Sequence, residues 1–169
     1  EIAVRRSGDI RITSLAYHIP AATHPDSPAL TVLGDILSHT PGGRLHKALV
    51  ETKLAAGTGA GAGAMRDPGL FNLAVVVPAD GDAAKAEAEL LRQAESMASM
   101  PVSAAELADA RQRFANSYEQ AFNNVNAVSM SLSEYVAAGD WRLWFVLRDA
   151  IDKVTVEDVN RVARTYLVA

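Results

Sequence analysis

Residues Tyr17 to Lys53 read YHIPAATHPDSPALTVLGDILSHTPGGRLHKALVETK, and they pass through three kinds of local structure in turn. Tyr17-His18-Ile19-Pro20 closes a β-type run that begins near Ile10. Pro20 has no N–H to give to a ladder, so the strand stops there. His24-Pro25-Asp26-Ser27-Pro28 is a turn cluster, and Ser27 followed by Pro28 predicts a cap and first position for a helix reaching about Ser38. Ala29, Val32, Leu33, Ile36 and Leu37 recur at helical spacing and define its buried face. Thr40-Pro41-Gly42-Gly43 breaks that helix, and a helical pattern resumes at Arg44, with Leu45, Ala48, Leu49 and Thr52 facing inward. The unit is strand, helix, tight break, helix.

Downstream, Ala56 to Arg66 reads AGTGAGAGAMR. In a strand, strict alternation sets every glycine on one face and every alanine or threonine on the other. A face of hydrogens lets another backbone or a helix come close. A flexible linker and a strand packed under helices compete here. The intervening alanines and the flanking pattern favour the strand. A phosphate cradle would need the GxxxxGK[ST] lysine and a following helix, and both are missing. Leu70 to Val77 is a β-rich run ended by Pro78, the natural antiparallel partner of the glycine strand.

The remainder is helical. Asp82 caps a helix whose inward residues are Ala86, Leu90, Leu91, Ala94 and Met97. Ser103-Ala104-Ala105-Glu106 is a capping box that launches a long amphipathic run from Leu107 towards Tyr135, with Asn123, Asn124 and Asn126 marking a break or kink. Such a run fits a helix lying across a sheet better than an isolated coiled-coil seam. Gly139 ends it, Asp140 starts a helix bearing Trp141, Trp144 and Phe145, and Thr155 caps the last helix. The three aromatics fit core or interdomain packing better than a peptide platform. The expected class is α+β: a small antiparallel sheet from the Ile10, Ala56 and Leu70 regions, with Ile2 to Arg5 as a further strand candidate, covered on one face by helices.

HPDSPAL opening one helix and GGRLHKALVE opening the next resemble the insulinase-type (pitrilysin, M16) zinc metallopeptidases and related bacterial zinc-protease candidates. Gly139-Asp140-Trp141-Arg142, Lys153-Val154-Thr155 and the segment from Arg161 to Leu167 resemble the same family's C-terminal pattern, so the likeness spans nearly the whole chain. The family's zinc motif is HxxEH, two histidines with a water-activating glutamate between them, completed by a distal glutamate. His18, His24, His39 and His46 each fail to begin it. His39 and His46 flank a Pro-Gly-Gly break, so no continuous helix aligns them on one ion. In many members the half without zinc carries an arginine and, seven residues later, a tyrosine that reach the substrate. Here Val50 and Gly57 stand in those places, so no substrate-gripping residue carries over.

The resemblance therefore implies a single non-catalytic M16-type domain, residues 1–169, cut from a longer multi-domain chain and resembling the second domain of a zinc-bearing half. It implies zinc for the parent and none for this segment. Its partners would be the parent's other domains and, in the assembled parent, a peptide substrate. The alternative is an assembly domain in a relative that has lost catalysis altogether. No catalytic or metal-ligating residue is assigned. Arg44 and His46, beside a glycine turn, and Gly59, Gly61 and Gly63 are the candidates for chamber-lining or interdomain contact, against the commoner case of solvated helix-start residues for the first two.

A formal net charge of -4 argues against nucleic acid or an anionic membrane as partner, since both need a basic face. The absence of cysteine excludes disulfides and suits cytoplasm or periplasm alike, with the resemblance leaning to the periplasm. At 169 residues the chain suits one domain with a real core, burying about 70% of its unfolded surface.

Overall fold

The computed structural model describes residues 2–4, 8–63 and 65–168. Three antiparallel strands, β1 (Ile10–Ile19), β2 (Gly57–Gly63) and β3 (Gly69–Pro78), form a sheet in the order β1-β3-β2. Among the described residues six α-helices accompany them: α1 (Ser27–Ser38), α2 (Ala83–Glu95), α3 (Ala104–Phe122), α4 (Val125–Ala137), α5 (Leu143–Ile151) and α6 (Val156–Tyr166). The α+β expectation, a small antiparallel sheet with helices on one face, is borne out. Ile2 to Val4 form no strand, and Arg5 lies outside the described residues.

The period-2 alternation of β3 sets the two faces of the sheet. Phe71, Leu73, Val75 and Val77 are wholly buried under helices, while Leu70 and Asn72 are exposed on the other side. Register carries that division into the neighbouring strands. On the covered face Tyr17 stands opposite Phe71 and Leu15 opposite Leu73, and on the far side of β3 Ala62, Ala60 and Thr58 stand opposite Phe71, Leu73 and Val75. The glycines of β2 therefore share the open face with Ile12, Ser14, Ala16 and His18 of β1.

Helix α1 lies on β2 and is touched by α3, α5 and α6 as well, which is why Leu30 and Gly34 are buried along with the five predicted residues. Leu30, Leu33 and Leu37 are sealed from solvent, and truncating any one to Ala would cost about 2–5 kcal/mol. The expected Ser27 cap is not made. Asp26 is the N-cap residue, but its side chain makes no cap bond because Arg161 and Tyr166 take its carboxylate. After the break at Thr40–Gly43 the chain forms a π-helical turn, His46–Val50, with Leu45 and Leu49 inward; Thr52, expected inward, is exposed and donates its hydroxyl to Ala48 O.

Asp82, Ser103 and Thr155 cap their helices as the sequence predicts, the last two in full capping boxes. Leu91, expected in the core, is 37% exposed. The amphipathic run splits at Asn123, and the Asn124 side chain accepts from the N–H groups of Asn126 and Ala127 to start α4. Instead of lying across the sheet, α3 rests on α1, α4 and α5. None of the α4 residues is buried, and Val125 is 81% exposed.

Candidate functional site

Two hydrogen-bonded clusters stand out among the contacts that tie helices together, beside the simpler Asp35–Arg113 ion pair between α1 and α3. At the first, Arg44 spends all five of its N–H donors inside the helical layer. Its Nε and Nη2 reach the two Glu106 carboxylate oxygens at 2.7 and 2.9 Å. Nη1 donates to Met100 O and Met97 Sδ, and Nη2 also donates to Pro101 O. A fork of this shape is what a guanidinium supplies and an ammonium cannot. Glu106 meanwhile accepts from the Ser103 N–H and hydroxyl, so one carboxylate serves the capping box and the arginine together. Arg44 foremost, with help from Ser103 and against burial, holds the Glu106 carboxyl at about 2.

At the second, Asp26 is a buried carboxylate between α1 and α6. Arg161 Nη2 donates to it at 2.6 Å and the Tyr166 hydroxyl at 2.8 Å. Arg161 is the main cause that lowers the Asp26 carboxyl below its ordinary range, burial opposes, and the tyrosine adds to the lowering. The Asp26 N–H donates to His24 Nδ1 at 3.1 Å, which fixes the loop before the helix. Neither place offers a free nucleophile or base.

The residues singled out from the sequence do not form one cluster. Arg44 is turned into the helical layer, its donors engaged; His46 is half-buried in the π-helical turn, with its carbonyl accepting from the Glu51 N–H. The glycines look the other way. Among the described residues a methyl added at Gly59 or Gly61 would meet nothing within 4 Å, and one at Gly63 would lie 3.2 Å from Leu70 O. The close approach expected of the glycine strand occurs on its alanine side, where a Cβ at Gly34 of α1 would lie 3.0 Å from Gly61 Cα. Among the described residues nothing packs on Gly59 or Gly61, on a sheet face that also carries Ile12 at 62% and Leu70 at 40% exposure.

The donor set does not fit a zinc site. His24 Nδ1 is occupied by the Asp26 N–H, and His18 stands on the open sheet face. Among the described residues no group of three or more His, Asp or Glu side chains is placed to share an ion. Among the same residues no helix is long and apolar enough to cross a membrane.

Sequence reasoning found the caps at Asp82, Ser103 and Thr155 but missed both knots, because Arg44 and Glu106 lie 62 positions apart and Asp26 and Arg161 lie 135 apart, beyond any local pattern. The only hint at the second was the family-like block around Arg161 and Tyr166.

Comparison with known proteins agrees with this geometry. The family model described as the peptidase M16 inactive domain matches residues 1–114. The inactive peptidase domain of a candidate zinc protease from Bordetella parapertussis is 36% identical, with a TM-score of 0.84 over 99% of this chain and 89% of that one. A candidate zinc protease from Bordetella pertussis Tohama I is also 36% identical, with a TM-score of 0.83 over 95% of this chain and 89% of that one. A protease from Helicobacter pylori shares the fold at 20% identity and a TM-score of 0.87 over 95% of this chain, which spans 39% of that longer one. No curated protein matches the chain. The chain belongs to the peptidase M16 inactive-domain family.

Proposed function

We propose that this chain is the non-catalytic, chamber-forming domain of an insulinase-type zinc metallopeptidase. Zinc and the water it activates would belong to another domain of the parent, and this one would enclose the peptide and pack against its neighbour. The observation that carries the reading is the uncovered glycine face. Phe71, Leu73, Val75 and Val77 of β3 are buried on the opposite face, whereas among the described residues nothing packs on Gly59 and Gly61, which leaves room there for an approaching partner. A small-residue surface admits backbone at close range, which suits an interdomain wall or the side of a substrate chamber.

Peptidase assays on the purified chain, with and without added zinc, test this. No turnover is expected from the chain alone, and chelator-sensitive turnover would overturn the reading. Activity in the zinc-bearing parent that falls when Gly59 and Gly61 are replaced by Leu would support it. An unchanged rate in that variant would remove the glycine face from the chamber.

A further inference from the structure

A trough runs through the helical layer between α1, α4 and α5, on the side of the sheet away from the glycines. It has two lobes of about 530 and 400 Å³ that meet at Thr31, Ser131, Tyr135 and Leu147. Each lobe is of a size that holds a ligand group, within the usual range of about 300–1,000 Å³. The trough exists because of α4. The half-buried side of α4 carries Val128 and Leu132 together with Ser131 and Tyr135, the last two lining both lobes, and no residue of the helix is buried.

The lining has three zones. The waist is hydroxylic, from Thr31, Ser131 and Tyr135. The walls are apolar, with Pro25, Leu143 and Val146 in the larger lobe and Phe114, Trp144 and Ile151 in the smaller. Carboxylates border both lobes, Glu134 at one and Glu119 and Asp152 at the other, and among the described residues none of the three is in an ion pair. Arg148 also borders the smaller lobe. Its charge is engaged, with Asp149 at 2.6 Å and the Tyr118 ring centroid at 5.0 Å.

We propose that this trough binds an extended peptide segment with a bulky apolar side chain in the Trp144 lobe and cationic side chains on either flank. Backbone amides supply both donors and acceptors to a hydroxyl waist. Cationic flanks complement the carboxylates, whereas the carboxylate or phosphate of a lipid would be repelled at both ends. The inference goes beyond the chamber reading and does not rest on it, because it concerns the helical side of the domain and is measured on this chain alone.

The test is a titration of the chain with a blocked Lys-Ala-Phe-Ala-Lys peptide, in a Trp141→Phe background so that emission reports Trp144. Saturable binding is expected, weakened at least ~10-fold when the probe's Phe becomes Ala or its lysines become Glu. Ser131→Phe, which plugs the waist, should abolish binding with the circular-dichroism spectrum unchanged. The surface variant Glu119→Gln/Glu134→Gln/Asp152→Asn, which leaves the packing alone, should lose the preference for the lysine probe over the glutamate probe. Absence of saturable binding, equal affinity for the two charge versions, or retention of the preference in the surface variant would overturn the proposal.

Discussion

Gly34 faces the backbone of Gly61, and Ala should lower stability at the first and leave it unchanged or raise it at the second. Gly34 sits inside α1, where Ala would ordinarily be better than Gly by about 0.8–1 kcal/mol. Here its Cβ would lie 3.0 Å from Gly61 Cα and 3.6 Å from Ala60 O and Gly61 N. Carbon atoms rest about 3.5–4.0 Å apart, so helix or strand must retreat by roughly half an ångström. The obstacle is main chain hydrogen-bonded to β3, and it cannot swing aside as a side chain would. Overpacking of this kind costs about 1–3 kcal/mol, which outweighs the helical gain and leaves Gly34→Ala about 1 kcal/mol less stable. At Gly61 the new methyl points to the open face with nothing within 4 Å among the described residues, so relief of backbone entropy leaves Gly61→Ala neutral or up to about 0.5–1 kcal/mol more stable. Urea unfolding reads both: with a slope of about 2–3 kcal/mol/M the Gly34→Ala midpoint falls by roughly 0.3–0.5 M. A Gly34→Ala midpoint at or above that of the natural chain would refute the packing argument. Gly61→Ala then becomes the informative variant for function, since a loss seen only in the assembled parent would report a partner on the glycine face.

Acid should loosen the Arg44 knot. Glu106 titrates at about 2 in the folded chain against an ordinary 4.5, so its stabilisation is fully present above that ordinary value and disappears as pH falls from about 4.5 to 2. With a third of the side chain exposed, solvent screening reduces the contribution to about 1–2 kcal/mol, read as a drop in urea midpoint that Arg44→Ala should largely abolish; an identical drop in that variant would assign the acid sensitivity elsewhere. At the other knot, Asp26→Ala should cost about 2 kcal/mol, and a double-mutant cycle with Arg161→Ala should give a coupling of about 0.5–1.5 kcal/mol; additive losses would show that the pair does not act as a unit.

How much was legible depends on how far each signal reaches along the chain. β3, α1 and the caps at Asp82, Ser103 and Thr155 depend on neighbours within a few residues, and their boundaries followed from alternation, helical spacing and side-chain oxygens. The glycine strand was recognised from alternation too, but not which of its faces would be covered. That choice belongs to β3, whose Phe71, Leu73 and Val75 draw Thr58, Ala60 and Ala62 to the covered side by register. Asp26 was beyond reach for a related reason: adjacent to Ser27-Pro28 it is in position to cap α1, and only the distant Arg161 and Tyr166 draw its carboxylate away. The α3–α4 run misled by its period. Helical spacing of apolar residues marks a face, not what covers it, and beyond Ala110 that face borders the trough and solvent instead of a sheet.

The repeat in β2 has one more consequence. A Gly-Ala alternation is nearly invariant when shifted by two residues, so sliding the strand along β3 would replace alanine by alanine and glycine by glycine at little side-chain cost. The alignment must be imposed from outside the repeat. The Ala56 N–H donating to Val76 O fixes one end, and α1 bears on the backbone at Gly61. Helix α1 thus works as a detent for a strand that cannot index itself. Substitutions at Gly34 or Ala56 should therefore be read for slippage, by hydrogen exchange along β3, as well as for loss of stability.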